Sequence, residues 1–543
     1  MPADLDNAAV AQQLEAFASL LDVADASPYT ARAYRRAAET IRSTPAPILA
    51  LAREGRAREL RGIGPGIGAR LRELAETGTI AELDELRREV RPELVAFGRL
   101  VGISAKGMVE IARTLDISTP DELRGAARSG ALRRIRGIGP TREAELVERL
   151  SSEPSRPTRG LTLYRARGLT AEIAAALGGE IAGDARRWAD LSFDLAVVVS
   201  AQDARPVLVA FEALPQIVSI LERGERRAVG VTIEGVPITL SIPEPSRLGT
   251  ELVRHTGSAA YVAALEPLPD AADEASVYRL LDIPWCPPEL REEPFRGQPP
   301  PLVELGAIRG DLHCHTTWSD GRATVREMAV AARDRGYAYL AICDHTRAVR
   351  VVPGLDAEAL RRQGEEVDVV NEELAPFRVL KGIEVDILGE GGLDLPDDAL
   401  GALDWVQLSL HAGQRERGDR LTAKVTEAMR HPAVRCLSHP KGRILNHRPP
   451  NALNLDAVFD VAAAEGVALE VNGLPDRLDL DAAGVRLAVE AGVPLVVSTD
   501  AHSVRGLDNM QLAVSTARRG GAAPTDVLNT GELPSVLGLR RPG

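Results

Sequence analysis

Three kinds of residue are scarce in this chain of 543, and each scarcity closes off a class of protein. Aromatic residues make up 3%, so Leu, Val, Ile and Ala must fill the cores. Lysine occurs only at Lys106, Lys381, Lys424 and Lys441, so arginine carries almost all of the positive charge, a pattern of codon bias more than of function. The cysteines Cys286, Cys314, Cys343 and Cys436 are scattered with no CxxC pair, which excludes a disulfide framework and a zinc ribbon. No apolar run is long enough to span a bilayer, and the acidic opening MPADLD is unlike a secretion signal. No membrane partner is therefore expected, and the expected location is cytoplasmic.

What remains is ordinary for a globular protein, with 45% hydrophobic and 26% charged residues, and a length that suits about three domains. The net charge of −13 excludes a uniformly basic nucleic-acid binder. It is unevenly spread: residues 1–160 carry +2 and the rest −15. A near-neutral N-terminal third can still present the locally basic face that phosphate contacts need.

Residues 1–150 read as almost entirely helical, with Leu14, Phe17, Leu20 and Leu21 at helical spacing. Two stretches repeat one pattern: Leu60-Arg-Gly62-Ile-Gly64-Pro-Gly66 and Ile135-Arg-Gly137-Ile-Gly139-Pro. Such turns let backbone N–H groups approach a phosphate closely. Arg61, Arg70, Arg136 and Arg142 would add counter-charge, and Leu100-Val-Gly102 is a weaker third copy. After a Ser/Pro/Arg-rich linker at 151–160, the runs Leu195–Val199, Val229–Ile233 and Ile238–Ile242 alternate with helical stretches, so 161–288 reads as an α+β domain. A Pro-rich linker follows. From about 305, short apolar strands (Leu340–Ile342, Val379–Ile383, Trp405–Leu410, Val467–Val471, Leu495–Val497) alternate with helices, the rhythm of a parallel α/β barrel.

Six of the nine histidines fall in short motifs of this last domain, with acidic residues beside them. Asp311-Leu-His313-Cys-His315 is followed by Ser319-Asp320-Gly321. Asp344-His345, Glu384, His411 and Asp500-Ala-His502 come at or just after a strand, and His439 stands in Leu437-Ser-His439-Pro. Residues i and i+2 of a strand share a face, so His313 and His315 can share one ion. Barrel sites are built at strand C-termini. Nine ligands (His313, His315, Asp320, His345, Glu384, His411, His439, Asp500, His502) exceed the needs of one ion and suit a carboxylate-bridged cluster of two or three divalent ions. Mixed imidazole and carboxylate donors fit Mn2+ or Zn2+. Such a cluster can activate water and clamp phosphate oxygens. Arg443 and Arg477 are the candidate catalytic cations, placed to hold substrate phosphate.

HCHTTWSDG, CDHT, GIEVDIL, LSLHAG, SHPKGR, EVNGLPDRLDL and STDAHS resemble the PHP (polymerase and histidinol phosphatase) domain, in the form fused to bacterial family X DNA polymerases. The resemblance implies a distorted (β/α)7 barrel with a trinuclear centre: one ion on His313, His315, Glu384 and Asp500, a second on Glu384, His411 and His439, and a third on Asp320, His345 and His502. The glycine turns resemble helix-hairpin-helix motifs, which grip the DNA backbone without reading sequence. Gly183-Asp-Ala-Arg186-Arg187 and Phe193-Asp194-Leu-Ala196 resemble the nucleotidyltransferase signature of the polymerase palm, whose paired aspartates bind magnesium. Here the expected Ser is Asp184, the second Asp is Ala196 and the third is Thr239.

The resulting expectation is a multidomain, monomeric, nucleoid-associated enzyme. Residues 1–150 would hold gapped, nicked or 3′-ended DNA, and 161–288 would be a palm-like segment without polymerase activity. Residues 305–543 would be a 3′–5′ exonuclease or 3′-phosphatase. Its rivals are a gap-filling family X polymerase with an exonuclease, and a small-molecule phosphatase of the PHP superfamily.

Overall fold

The computed structural model describes residues 160–539 except 296, 350–352, 390 and 447. Of the N-terminal part it describes 10–151 with breaks at 12, 15–16, 19–20, 22–27, 43–47, 61, 91–93, 95–97, 99–102, 104 and 136–137. The chain forms two compact units: Met1–Arg159 with Leu208–Leu240, and Gly160–Val207 with Ser241–Gly543.

The first unit is mostly helical, as expected. Its helices include Pro28–Arg42, Pro65–Thr77, Ala105–Leu115, Pro120–Arg128 and Pro140–Ser151. Their apolar stripes close one core that includes Leu14, Phe17, Ile41, Leu71, Leu83, Met108 and Leu132, all essentially inaccessible to solvent. Val231, from the antiparallel pair Ile217–Arg223 and Arg227–Thr232, joins that core. Strand Ile217–Arg223 escaped the sequence reading because its apolar residues are interrupted by Ser219 and Glu222.

The second unit holds the antiparallel pair Glu180–Ala182 and Leu195–Val198 and a seven-stranded parallel sheet. The strands of that sheet are β1 (Gly310–Cys314), β2 (Tyr339–Ile342), β3 (Arg378–Asp386), β4 (Trp405–Ser409), β5 (Cys436–Leu437), β6 (Ala468–Asn472) and β7 (Leu495–Ser498). They lie side by side in chain order. Five of the seven were expected from their mostly apolar sequence, which suits strands with helices on one face and the barrel interior on the other. A parallel bridge from Cys314 to Ala501, with the His315 N–H donating to the Ala501 carbonyl at 2.8 Å, brings β7 back to β1 and nearly closes the barrel. The ligand-bearing ends of six of the seven strands, all but β6, thus ring one opening.

Candidate metal centre

Strand ends set the positions of eight of the nine candidate ligands, and Asp320 lies in the turn that follows His315. His313 lies within β1 and His315 just beyond it. His345, His411, His439, Asp500 and His502 follow the ends of β2, β4, β5 and β7, and Glu384 stands near the end of β3. A register break in the β1–β2 pairing between Asp311 and Cys314 falls at His313, as such irregularities do beside functional sites. His439 and Asp500 hold φ of 25° and 52°, a left-handed conformation that costs a non-glycine residue about 1–3 kcal/mol and persists only where surrounding contacts enforce it.

The side chains converge in three overlapping groups: His315, Asp320, His345 and His502; His313, His315 and Asp500; and His345, Glu384 and His411. Within each group the ligand atoms lie within 4.8 Å of one another. His439 joins through Glu384, with Nε2 at 3.0 Å from Oε1. Glu384 also stands 2.8 Å from His345 Nδ1, 3.7 Å from His313 Nε2 and 3.8 Å from His411 Nε2, the place of a bridging carboxylate. His315 Nε2 is 3.2 Å from His313 Nε2 and 3.0 Å from Asp500 Oδ1, so the i/i+2 pair does meet.

The fit to metal rests on unsatisfied atoms. His315 Nδ1, His439 Nδ1 and both Glu384 oxygens are buried without a hydrogen bond. Buried polar groups rarely go unpaired, and an unpaired carboxylate is costly. Divalent ions among these donors would satisfy all of them. The electrostatics agree: the surrounding histidines overcome burial and hold Glu384 and Asp500 well below the usual carboxylate range. Burial and its neighbours His502 and His345 push His315 down to about 4. Burial is outweighed at His345 by Glu384 and Asp320, which raise it to about 10.

Two residues absent from the sequence-based set orient ligands from behind. Glu470, fully buried on β6, sits 2.6 Å from His313 Nδ1 and accepts from the His439 backbone N–H at 2.7 Å. Asp386 sits 3.0 Å from His411 Nδ1 and accepts the His411 backbone N–H, also at 3.0 Å. Carboxylates behind histidine ligands fix the ring and its tautomer. A charged residue inside the apolar runs Leu469-Glu-Val and Glu384-Val-Asp386-Ile was the available signal.

Arg443 departs from its expected role. It is buried, and its guanidinium contacts Asp190 at 2.7 Å, Asp481 at 3.5 Å and the Arg477 and Leu478 carbonyls, so its donors are spent on protein instead of substrate. Arg477 is half-buried, and its charge is felt by Arg448. His431 lies outside the cluster, 3.4 Å from Asp397.

In the palm-like segment, Gly183 takes a left-handed φ of 68°, and a Cβ there would stand 3.4 Å from the Ala196 Cβ. Arg186 forms a two-pronged pair with Glu274 at 2.9 and 2.6 Å and donates to Thr256. Arg187 pairs with Asp184 and Glu292. Burial, aided by Asp194 against the pull of Arg187, pushes the Asp184 carboxyl up to about 6. Asp194 is exposed and Ala196 buried, and Thr239 is half-buried on its own strand. Asp203 accepts the Arg205 N–H at the start of a helix.

In the first unit the two glycine turns share one geometry. A short 3-10 turn (Ala57–Glu59, Ala131–Arg134) ends in an extended residue (Leu60, Ile135). Ile63 and Ile138 then donate back to Leu60 and Ile135, and a helix starts with Pro65 or Pro140. Gly62 needs its φ of 89° for this turn. A Cβ at Gly64, Gly66 or Gly139 would meet nothing within 4 Å, so this backbone is open to an approaching anion. Gly137, Arg61, Arg136 and Gly102 lie outside the described residues. Arg70 pairs with Glu73 and Glu82, and Arg142 with Glu145, which reduces the counter-charge expected of them.

A helix-hairpin-helix domain family matches residues 5–80. The DNA polymerase/3′-5′ exonuclease PolX of Bacillus subtilis (strain 168) is 29% identical over 96% of this chain and 97% of its own length. Probable phosphatases match a smaller share of the chain. That of Syntrophotalea carbinolica is 28% identical over 40% of this chain and 90% of its own, and that of Acetivibrio thermocellus 32% over 30% and 64%.

Proposed function

We propose, from the similarity to a bacterial PolX protein along nearly the whole chain and from the helix-hairpin-helix match at its front, that the barrel is a PHP-type, metal-dependent 3′–5′ exonuclease acting on DNA ends. The observation that carries this reading is the set of buried, unpaired Glu384 and histidine atoms within a cluster of eight candidate metal-ligand side chains, with His439 beside Glu384 as a ninth. Two or three ions, Mn2+ or Zn2+, held by these residues would supply an activated water and neutralise charge on the phosphorus oxygens. Glu384 holds the ligand groups in one constellation, while Glu470 and Asp386 fix the rings of His313 and His411. Arg477, half-buried and in no ion pair among the described residues, is the side chain we assign to substrate phosphate. The glycine turns at Gly62–Gly66 and Gly137–Gly139 would grip the DNA backbone through their N–H groups. Residues 1–150, 161–288 and 305–543 are the three functional parts we propose, acting in a monomer in the nucleoid.

We assign no polymerase chemistry to the palm-like segment. Asp194 alone remains of three metal carboxylates, and one carboxylate cannot hold two magnesium ions against a triphosphate. Asp190 and Asp203, the nearby acids that could substitute, are engaged with Arg443 and Arg519 and with a helix start. The full-length similarity to a protein named for both activities favours the second reading, a gap-filling polymerase with an attached exonuclease. One gel separates the two, with a 5′-labelled primer on a gapped template, manganese and all four deoxynucleotides. A primer that shortens and never extends supports an exonuclease with a silent palm; templated extension abolished by Asp194→Ala establishes the second reading. A primer left unchanged overturns both.

A further inference from the structure

The palm-like segment has a use for its charged residues that does not involve a nucleotide. Asp184, at the position expected to be Ser, begins a continuous chain of ion pairs. Arg187 links Asp184 to Glu292, at 3.1 Å from the latter. Arg519, on the helix Met510–Arg519 that follows β7, links Glu292 at 3.0 Å to Asp190 at 2.9 Å. Asp190 is 2.7 Å from Arg443, Arg443 is 3.5 Å from Asp481, and Asp481 is 2.7 Å from Lys441. Apart from Glu292, each of these side chains is less than one-fifth exposed.

The far end of this chain is the turn that carries a metal ligand. His439 opens the turn His439-Pro-Lys-Gly-Arg443, with left-handed φ at both His439 and Gly442. A turn in that shape needs to be held at both ends. Glu470 holds the first end through the His439 N–H. Asp479 takes the Lys441 and Arg443 N–H groups at 3.0 and 3.3 Å. Arg443 then ties the second end to the Arg477 and Leu478 carbonyls and, through Asp190, to the palm-like segment. An apolar contact runs alongside: Leu163, Trp188 and Leu191 pack with Leu445, Leu478 and Leu512.

We infer that Asp190 is a positioning residue of the metal centre, acting through Arg443 on the turn that presents His439, so that the nucleotidyltransferase-like segment is part of the framework of the hydrolytic site. This rests on the metal-centre reading above. Asp190 touches neither ion nor substrate. It gives Arg443 a buried counter-charge, and without it a guanidinium held among carbonyls would lose its anchor and the His439 turn its fixed shape. Supporting groups of this kind typically change metal affinity or activity by about 10–100-fold when removed.

The test uses the full chain and four variants: Asp190→Asn, Asp190→Glu, Arg519→Ala, and Arg326→Ala, which breaks a surface pair with Glu373 on the barrel exterior. Manganese retained per chain after dialysis is measured by elemental analysis, beside kcat and KM on a single-stranded oligonucleotide and the melting temperature. Asp190→Asn is expected to lose metal and about 10–100-fold in kcat with KM little changed. Asp190→Glu should recover part of both, and Arg326→Ala should match the parent. If Asp190→Asn does not fold, Asp190→Ser takes its place, since it too leaves Arg443 without that counter-charge, while Arg519→Ala, which keeps the Asp190–Arg443 pair, should match the parent in kcat. Parental metal content and kcat in the folded Asp190→Asn or Asp190→Ser variant would overturn the inference. A parent that holds no metal would instead overturn the function proposed for the barrel.

Discussion

The barrel centre and the palm-like segment both bury several charged side chains, and they treat them in opposite ways. In the barrel, both oxygens of Glu384 and ring nitrogens of His315 and His439 are sealed from solvent with no hydrogen bond. In the palm-like segment Arg186 faces Glu274 and Arg187 faces Asp184 and Glu292, and the buried Arg187 Nε, though without a hydrogen bond, still stands 3.1 Å from the Glu292 carboxylate. A carboxylate with both oxygens unpaired beside unpaired ring nitrogens is costly to bury unless a cation joins it. The contrast separates a centre with room for cations from a segment whose Arg186 and Arg187 already have carboxylate partners.

The comparison can be broken at several depths. Replacing both His313 and His315 with Ala removes ligands from two of the three groups. It should cost hydrolysis of a labelled oligonucleotide on the order of 10³-fold or more while leaving DNA binding intact. Retained cleavage would mean that the barrel is not the hydrolytic site. Glu470→Gln is subtler. It keeps shape and removes the charge behind His313, so manganese affinity measured by calorimetry should fall about 10–100-fold. Undiminished affinity would show that His313 needs no carboxylate to orient it. The smallest effect belongs to the palm-like segment. Arg186→Ala leaves Glu274 with Arg291 alone, and should cost about 1–3 kcal/mol of stability without a loss of hydrolysis. If a nucleoside triphosphate with magnesium raises the melting temperature of the parent but not of this variant, Arg186 is a phosphate ligand after all.

How much of this was legible beforehand depended on whether a feature is local. Five of the barrel strands announced themselves as apolar runs, and five of the nine candidate ligands, His345, Glu384, His411, Asp500 and His502, were readable because they stand at or just past those runs. Strand β5 was harder, since Cys436–Leu437 is too short to show any period. The glycine turns were legible because a left-handed φ leaves a glycine in the sequence, as at Gly62. What could not be read were partnerships across the chain. Arg443 looked like a free cation near a ligand motif; its partner Asp190 lies 253 residues away. Glu470 and His313 are 157 residues apart, and no spacing rule connects them. Ion pairs depend on where the fold brings charges together, which residue type alone does not specify.

The closure of the barrel also has a consequence in time. His315 and Asp500 stand 3.0 Å apart in space and 185 residues apart along the chain, and they meet only when β7 returns to β1. A ribosome that has reached β6 has made seven of the nine candidate ligands, but the two groups that contain Asp500 or His502 are still incomplete. The hydrolytic activity proposed for the barrel would therefore arise late in synthesis, when the strand that completes the ring arrives.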